Sequence, residues 1–170
     1  MNTRKYLIKN SLVACFVGCC VSLASAGNPP FFTTDAVLNA KGELLMTQKG
    51  TKQLDIFSAD GKTLLHSFPF DEIPTGLLPD GDKVYVTTFE KTGRLQVLSL
   101  ESGRVEAAIP TGSGACHPMF GPDKKHIYVC NQFDNSVVEI DPVMRKVVRS
   151  VKVLREPKSA VFSKDGKYMF

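Results

Sequence analysis

Cys116 and His117 stand together in Gly112-Ser113-Gly114-Ala115-Cys116-His117-Pro118, where a glycine-rich approach gives way to a short apolar run. An imidazole at such a place can donate, accept or change charge near neutral pH, which suits contact with a polar ligand. The bland alternative is a half-buried strand histidine bonded to a neighbouring carbonyl. Further along, Asn131 follows Cys130, and Arg155 and Lys158 flank Glu156-Pro157, where they can present cations to an anionic ligand or serve as ordinary solvated charge. His117, Asn131 and Arg155 are the candidate ligand contacts, and Cys116 with Cys130 is a candidate disulfide.

Other chemistry lacks its residues. Cys116-His117 has no upstream cysteine to complete a C-x-x-C-H haem attachment, and Cys19-Cys20 has the wrong spacing. The sequence contains no H-E-x-x-H, no serine nucleophile elbow and no phosphate-cradling glycine loop. No catalytic set, metal centre or cofactor is therefore expected in this segment. His66 and His126 read as surface or structural residues. Tyr85, Tyr128, Phe120 and Phe162 read as core.

The first residues carry Arg4, Lys5 and Lys9, then an apolar run from Ser11 to Leu23, then Ala24-Ser25-Ala26. This is the pattern of a signal peptide spanning residues 1–26 with an A-x-A cleavage site. The apolar run falls short of the ~20 residues a spanning helix needs, so no transmembrane helix is expected in the mature chain. Lipid attachment at Cys15 or Cys19 is the rival reading. The formal charge is +4 over 170 residues, and loss of the three leader cations leaves 18 basic residues against 17 acidic. That balance gives no basis for a nucleic-acid partner. Only Cys116 and Cys130 persist in the mature chain, in an extracytoplasmic compartment (periplasm, cell surface or medium) where disulfides survive.

Residues 27–170 show short Val, Ile, Leu, Tyr and Phe runs between Gly, Pro, Asp and Asn, an all-β pattern. A turn and strand recur as Pro79-Asp80-Gly81-Asp82-Lys83-Val84-Tyr85-Val86, Pro122-Asp123-Lys124-Lys125-His126-Ile127-Tyr128-Val129 and Lys164-Asp165-Gly166-Lys167-Tyr168, with a degenerate copy from Asn39 to Met46. Asp80, Asp123 and Asp165 suit local bonds to turn N–H groups. Each period holds a second turn, at Ala59-Asp60-Gly61, Glu101-Ser102-Gly103 and Asp141-Pro142-Val143. Four strands in a period in the low forties make a propeller blade. The repeats fall at about 31–70, 71–112, 113–154 and 155–170. About three and a half antiparallel blades make an incomplete ring, which implies an N-terminal part of a longer propeller, or a subunit that completes a ring with other copies.

Ile127-Tyr128-Val129-Cys130-Asn131, Asp134 to Asp141, Lys146-Val147-Val148 and Arg155-Glu156-Pro157 ahead of Lys164-Asp165-Gly166-Lys167 resemble a YVTN-type propeller repeat. The resemblance runs over residues 70–170 and is weaker over 31–69. Cys130 replaces the threonine usual in the family, and Lys124 stands where most copies have glycine. The resemblance implies a secreted bacterial propeller, and repeat regularity without a convergent catalytic set points to a binding or scaffold module, non-enzymatic in this segment, with a small molecule or protein as partner. It further implies attachment to a c-type haem redox domain in the full-length protein, since the segments around His117, Cys130 and Arg155 are similar to those of long secreted propellers that carry one. A propeller lactonase is the alternative, because lactonases of this fold share the Pro-Asp-Gly-Lys hairpin and Tyr-Val strand.

The hairpin sets the cysteine geometry. With a turn over Pro122 to Lys124, Gly121 faces Lys125 and Cys116 falls opposite Cys130, within disulfide reach. A turn one residue longer would put the two on opposite faces.

Overall fold

A computed structural model describes residues 33–170, so the expected leader and Cys15 and Cys19 lie outside the described residues. Twelve strands form three four-stranded antiparallel sheets. The first blade holds β1 (Thr33–Leu38), β2 (Leu44–Gln48), β3 (Gln53–Phe57) and β4 (Leu64–Pro69). The second holds β5 (Pro74–Asp80), β6 (Lys83–Thr88), β7 (Gly93–Ser99) and β8 (Val105–Gly112). The third holds β9 (Ala115–Phe120), β10 (Ile127–Asn131), β11 (Ser136–Asp141) and β12 (Lys146–Lys152). Strands follow one another in each sheet by simple hairpins, and the sheets do not close into a ring. Past β12, Phe162 bridges Met169, with Val161 and Phe170 exchanging two backbone bonds of 2.9 Å. Among the described residues no helix is long and apolar enough to cross a membrane.

The sheets stack face to face through two cores. Side chains alternate across a strand, so Val84 and Val86 of β6 join Leu45, Leu54, Ile56 and Leu77 between blades one and two. Tyr85, with Leu95 and Val97, joins Ile127, Val129, Val138 and Ile140 between blades two and three. The middle blade is thus buried on both faces, which is why its sequence runs as near-continuous apolar stretches. Edge-to-face contacts repeat between neighbours: Tyr85 on Phe120 at 6.2 Å and Tyr128 on Phe162 at 4.9 Å between ring centres. The aromatic residues serve packing, as their recurrence implies.

Two of the three recurrent turn aspartates bond the backbone, Asp123 and Asp165, whereas Asp80 ends β5 opposite Lys83 and its carboxylate takes no turn N–H among the described residues. Asp123 Oδ1 accepts from Lys125 N and His126 N (2.9 and 3.1 Å), and Asp165 Oδ1 accepts from Lys167 N (3.2 Å). Asp123 Oδ2 also lies 2.6 Å from His126 Nδ1. The Lys125 N–H, then the His126 ring, pull Asp123 down to about 2, while Asp123 raises His126 above 6.5. Linkage gives opposite signs for the two groups. The Asp123 contribution is present above its ordinary 3.8 and lost as pH falls through about 2. The His126 contribution is present below 6.5 and lost as pH rises through its folded value. The turn is therefore tightest in the mildly acid window between. An NMR titration should place the His126 imidazole above 6.5 and return it toward that value in Asp123→Asn. An unchanged titration in the variant would dissolve the pairing.

Candidate functional site

The first, inner hairpin of each blade carries a register slip, and the leading strands β1, β5 and β9 neighbour one another in turn. In β1, Thr34 and Asp35 fall between the pairs Thr33↔Gln48 and Ala36↔Met46, two residues against Thr47. In β5 the register slips between Pro74↔Thr88 and Gly76↔Thr87, and in β9 His117 and Pro118 together oppose Val129. Such bulges bend a strand and re-aim its side chains. His117 adopts φ 49°, outside the extended region, and its side chain is exposed.

The bulges fit into one another across blades. Thr34 Oγ1 donates to Pro74 O at 2.8 Å, and Thr75 Oγ1 donates to Ala115 O at 2.8 Å. Asp35 Oδ2 accepts from Leu77 N and Oδ1 from Ala36 N, both at 2.8 Å. Burial raises the Asp35 pKa, and these two N–H donors and the nearby His117 partly offset it. At the position of Asp35, the second blade has Gly76. A Cβ there would lie 2.6 Å from Pro118 Cδ and 2.9 Å from His117 N, so the third bulge packs against bare backbone.

Thr34, Asp35, Thr75, Cys116, His117 and Lys158, with Gln132 and Phe89, line one open depression of about 290 Å³. Arg155 lines an adjoining one of about 400 Å³ with Gln132, Phe133, Asn135 and Glu156. Gln132 is common to both, so His117 and Arg155 occupy neighbouring depressions. Asn131 does not join them. It is fully buried, and its Nδ2 donates to Thr111 O at 2.9 Å, so it presents no exposed atom to a ligand. Sequence reasoning missed Asp35 and Gln132. The signal for Asp35 was its place 41 residues before Gly76, itself 41 before His117, hidden by the degenerate first repeat.

Cys116 pairs with Cys130 in register, but both are free thiols, so the expected bridge is not formed in this structure. Cys116 Sγ lies 3.5 Å from Lys158 O and 3.7 Å from Pro157 O. Burial pushes Cys116 up to about 12 and Cys130 to about 11, keeping both protonated.

No family model matches the chain. Antigen Lp49 of Leptospira interrogans serogroup Icterohaemorrhagiae serovar copenhageni (strain Fiocruz L1-130) is 29% identical over 126 residues, which cover 68% of this chain and 28% of that protein. Among solved structures, Kuenenia stuttgartiensis hydrazine synthase superposes with TM-score 0.73 at 18% identity, over 86% of this chain and 44% of that one. The WD40 β-propeller domain of Doa1 superposes with TM-score 0.68 at 13% identity, over 79% and 45%. The chain thus spans less than half the length of each of these three proteins. At these identities the structures speak to the fold alone, and that fold is the β-propeller.

Proposed function

We propose that this chain is a binding or scaffold module of an extracytoplasmic, YVTN-like propeller protein, and that its ligand site is the pair of depressions at the inner ends of the blades. One observation carries the reading: three successive blades and the segment after them turn polar side chains into a single depression. Both oxygens of Asp35 are already engaged by backbone N–H groups. The one other carboxylate among the described lining residues, Glu156, has its Oε2 met by Gln132 Nε2 at 3.4 Å. The groups left over, His117, Lys158 and, next door, Arg155, are donors or cations. They suit a small ligand with carboxylate or phosphate oxygens. The leader-like residues 1–26 and the likeness to an antigen support an extracytoplasmic location. A shared fold with a hydrazine synthase transfers no activity, because chemistry belongs to sites rather than folds.

Citrate and inorganic phosphate, titrated against the full chain at low salt, should raise its melting temperature. A lost charge-assisted bond costs about 1.5–3 kcal/mol, so Lys158→Ala or Arg155→Ala should weaken binding roughly ten- to a hundredfold. His117→Ala should weaken it as well. The melting temperature without ligand should hardly move, since all three side chains are exposed. No shift with either anion, or equal shifts in wild type and variants, would discard the site. Loss of folding in the variants would assign these residues to the scaffold.

A further inference from the structure

The three inner hairpins differ in one respect. In blade one, Thr34 Oγ1 lies 2.6 Å from Thr47 Oγ1, and in blade two Thr75 Oγ1 lies 3.1 Å from Thr87 Oγ1. In each pair the first hydroxyl also donates to an inner carbonyl of the next blade. Cys116 and Cys130 occupy these two places in blade three, and Cys116 Sγ makes the corresponding forward contact to the carbonyls of Pro157 and Lys158. Both members of a facing hydroxyl pair have thus been exchanged together. Thiols are weak donors and acceptors, so the exchange surrenders the hydrogen bonding that the hydroxyls supply. A single exchange would need no explanation beyond tolerance. A paired one puts two groups face to face that can do what hydroxyls cannot.

We propose that Cys116 and Cys130 are a thiol–disulfide site, oxidised through Cys116 by a disulfide-bearing oxidant, in which the forward contact of Cys116 is exchanged for a covalent link within blade three. The geometry suits it. Directly opposed residues of an antiparallel pair have Cα atoms about 4.5–5.5 Å apart, inside the range of about 4.4–6.8 Å that a disulfide accepts. Access is asymmetric: Cys116 lines the open depression, whereas Cys130 is fully buried. Cys116 therefore reacts first. Its thiolate attacks one sulfur of the oxidant, forming a mixed disulfide and expelling one thiolate, which takes up the proton Cys116 gave up. Cys130, deprotonated in turn, attacks Cys116 Sγ and expels the second thiol. Two protein thiols and one disulfide become one protein disulfide and two thiols, with two electrons passing to the oxidant. Burial of both sulfurs, which disfavours the thiolate, makes the exchange slow and selective for a reagent small enough to enter the depression. Oxidation also withdraws Sγ from Pro157 and Lys158, and so alters the wall of the depression next to Lys158.

The test treats the reduced full chain with oxidised glutathione, then alkylates it under denaturing conditions and maps its tryptic peptides without reduction. Residues 105–124 and 126–145 should appear as one cross-linked species, two hydrogens lighter than the sum of the separate peptides. Cys130→Ser should trap glutathione on Cys116, while Cys116→Ser should leave Cys130 unmodified in the folded protein. The double variant Cys116→Thr/Cys130→Thr restores the hydroxyl pair of the other blades. It should fold with a melting temperature indifferent to the oxidant, whereas that of the wild type should rise on oxidation. Separate peptides from oxidised wild type, or glutathione on Cys130 in preference to Cys116, would overturn the proposal without reliance on any variant's folding.

Discussion

Leu95→Ala is expected to lower the unfolding free energy by about 2–5 kcal/mol, the range for truncating a buried leucine. Leu95 is 0% exposed and sits where Tyr85, Ile109, Ala115, Ile127 and Val129 of blades two and three converge. Strand neighbours hold the backbone on either side of it, so the cavity can collapse only in part. The comparison is Leu65→Ala in β4, where the side chain is 41% exposed and the change should stay within about 0.5 kcal/mol. Urea unfolding of both variants checks this, with a shifted midpoint at unchanged slope as the mark of a true stability loss. Equal midpoints for the two would mean that blades two and three do not share a core.

Gly93→Ala should also be costly, for the opposite reason. Gly93 opens β7 opposite Gly112, at the crossing from blade two to blade three. A Cβ there would fall against the Gly112 carbonyl, 2.7 Å from Ala115 Cβ and 2.9 Å from Ala115 N. Two of these three atoms are backbone and cannot swing aside as a side-chain tip would. Overpacking of this kind costs about 1–3 kcal/mol, occasionally more. Thermal unfolding should show the loss, and a melting temperature equal to wild type would show that the junction yields freely.

The architecture was readable because turn chemistry leaves a residue-type imprint at every hairpin: Asp-Gly, Ser-Gly and Asp-Pro in repeated places force reversals, and their spacing counts the strands. Register left a fainter trace. The hairpin of blade three turns over four residues, since Gly121 N bonds His126 O, which by itself would put Cys116 and Cys130 on opposite faces. The bulge at His117 and Pro118 then adds one residue to β9 and restores the opposition. The expected facing pair therefore arises from two departures that cancel. A bulge selects no particular residue, so counting from the turn cannot reveal it. Asn131 was misplaced for a related reason: it ends a strand, and only the local pairing decides whether such a residue faces solvent or the neighbouring sheet. Here it points at Thr111 of blade two. His117 was legible because the glycine-rich approach marks a loop beside an inner strand. Asp35 was not, because the first repeat has drifted too far to align on sight.

The threonine hydroxyls that reach from β1 to β5 and from β5 to β9 also make the described blades a linear array of coupled units. A chain of like units joined only to their neighbours behaves as a one-dimensional lattice, in which stability is a sum of unit terms and junction terms. Blade two holds two junctions, each with a buried core and a hydroxyl tie, while blade one, among the described residues, holds one. At the third junction a thiol replaces the hydroxyl, so under the proposed thiol–disulfide exchange the coupling there would depend on redox potential as well as on temperature.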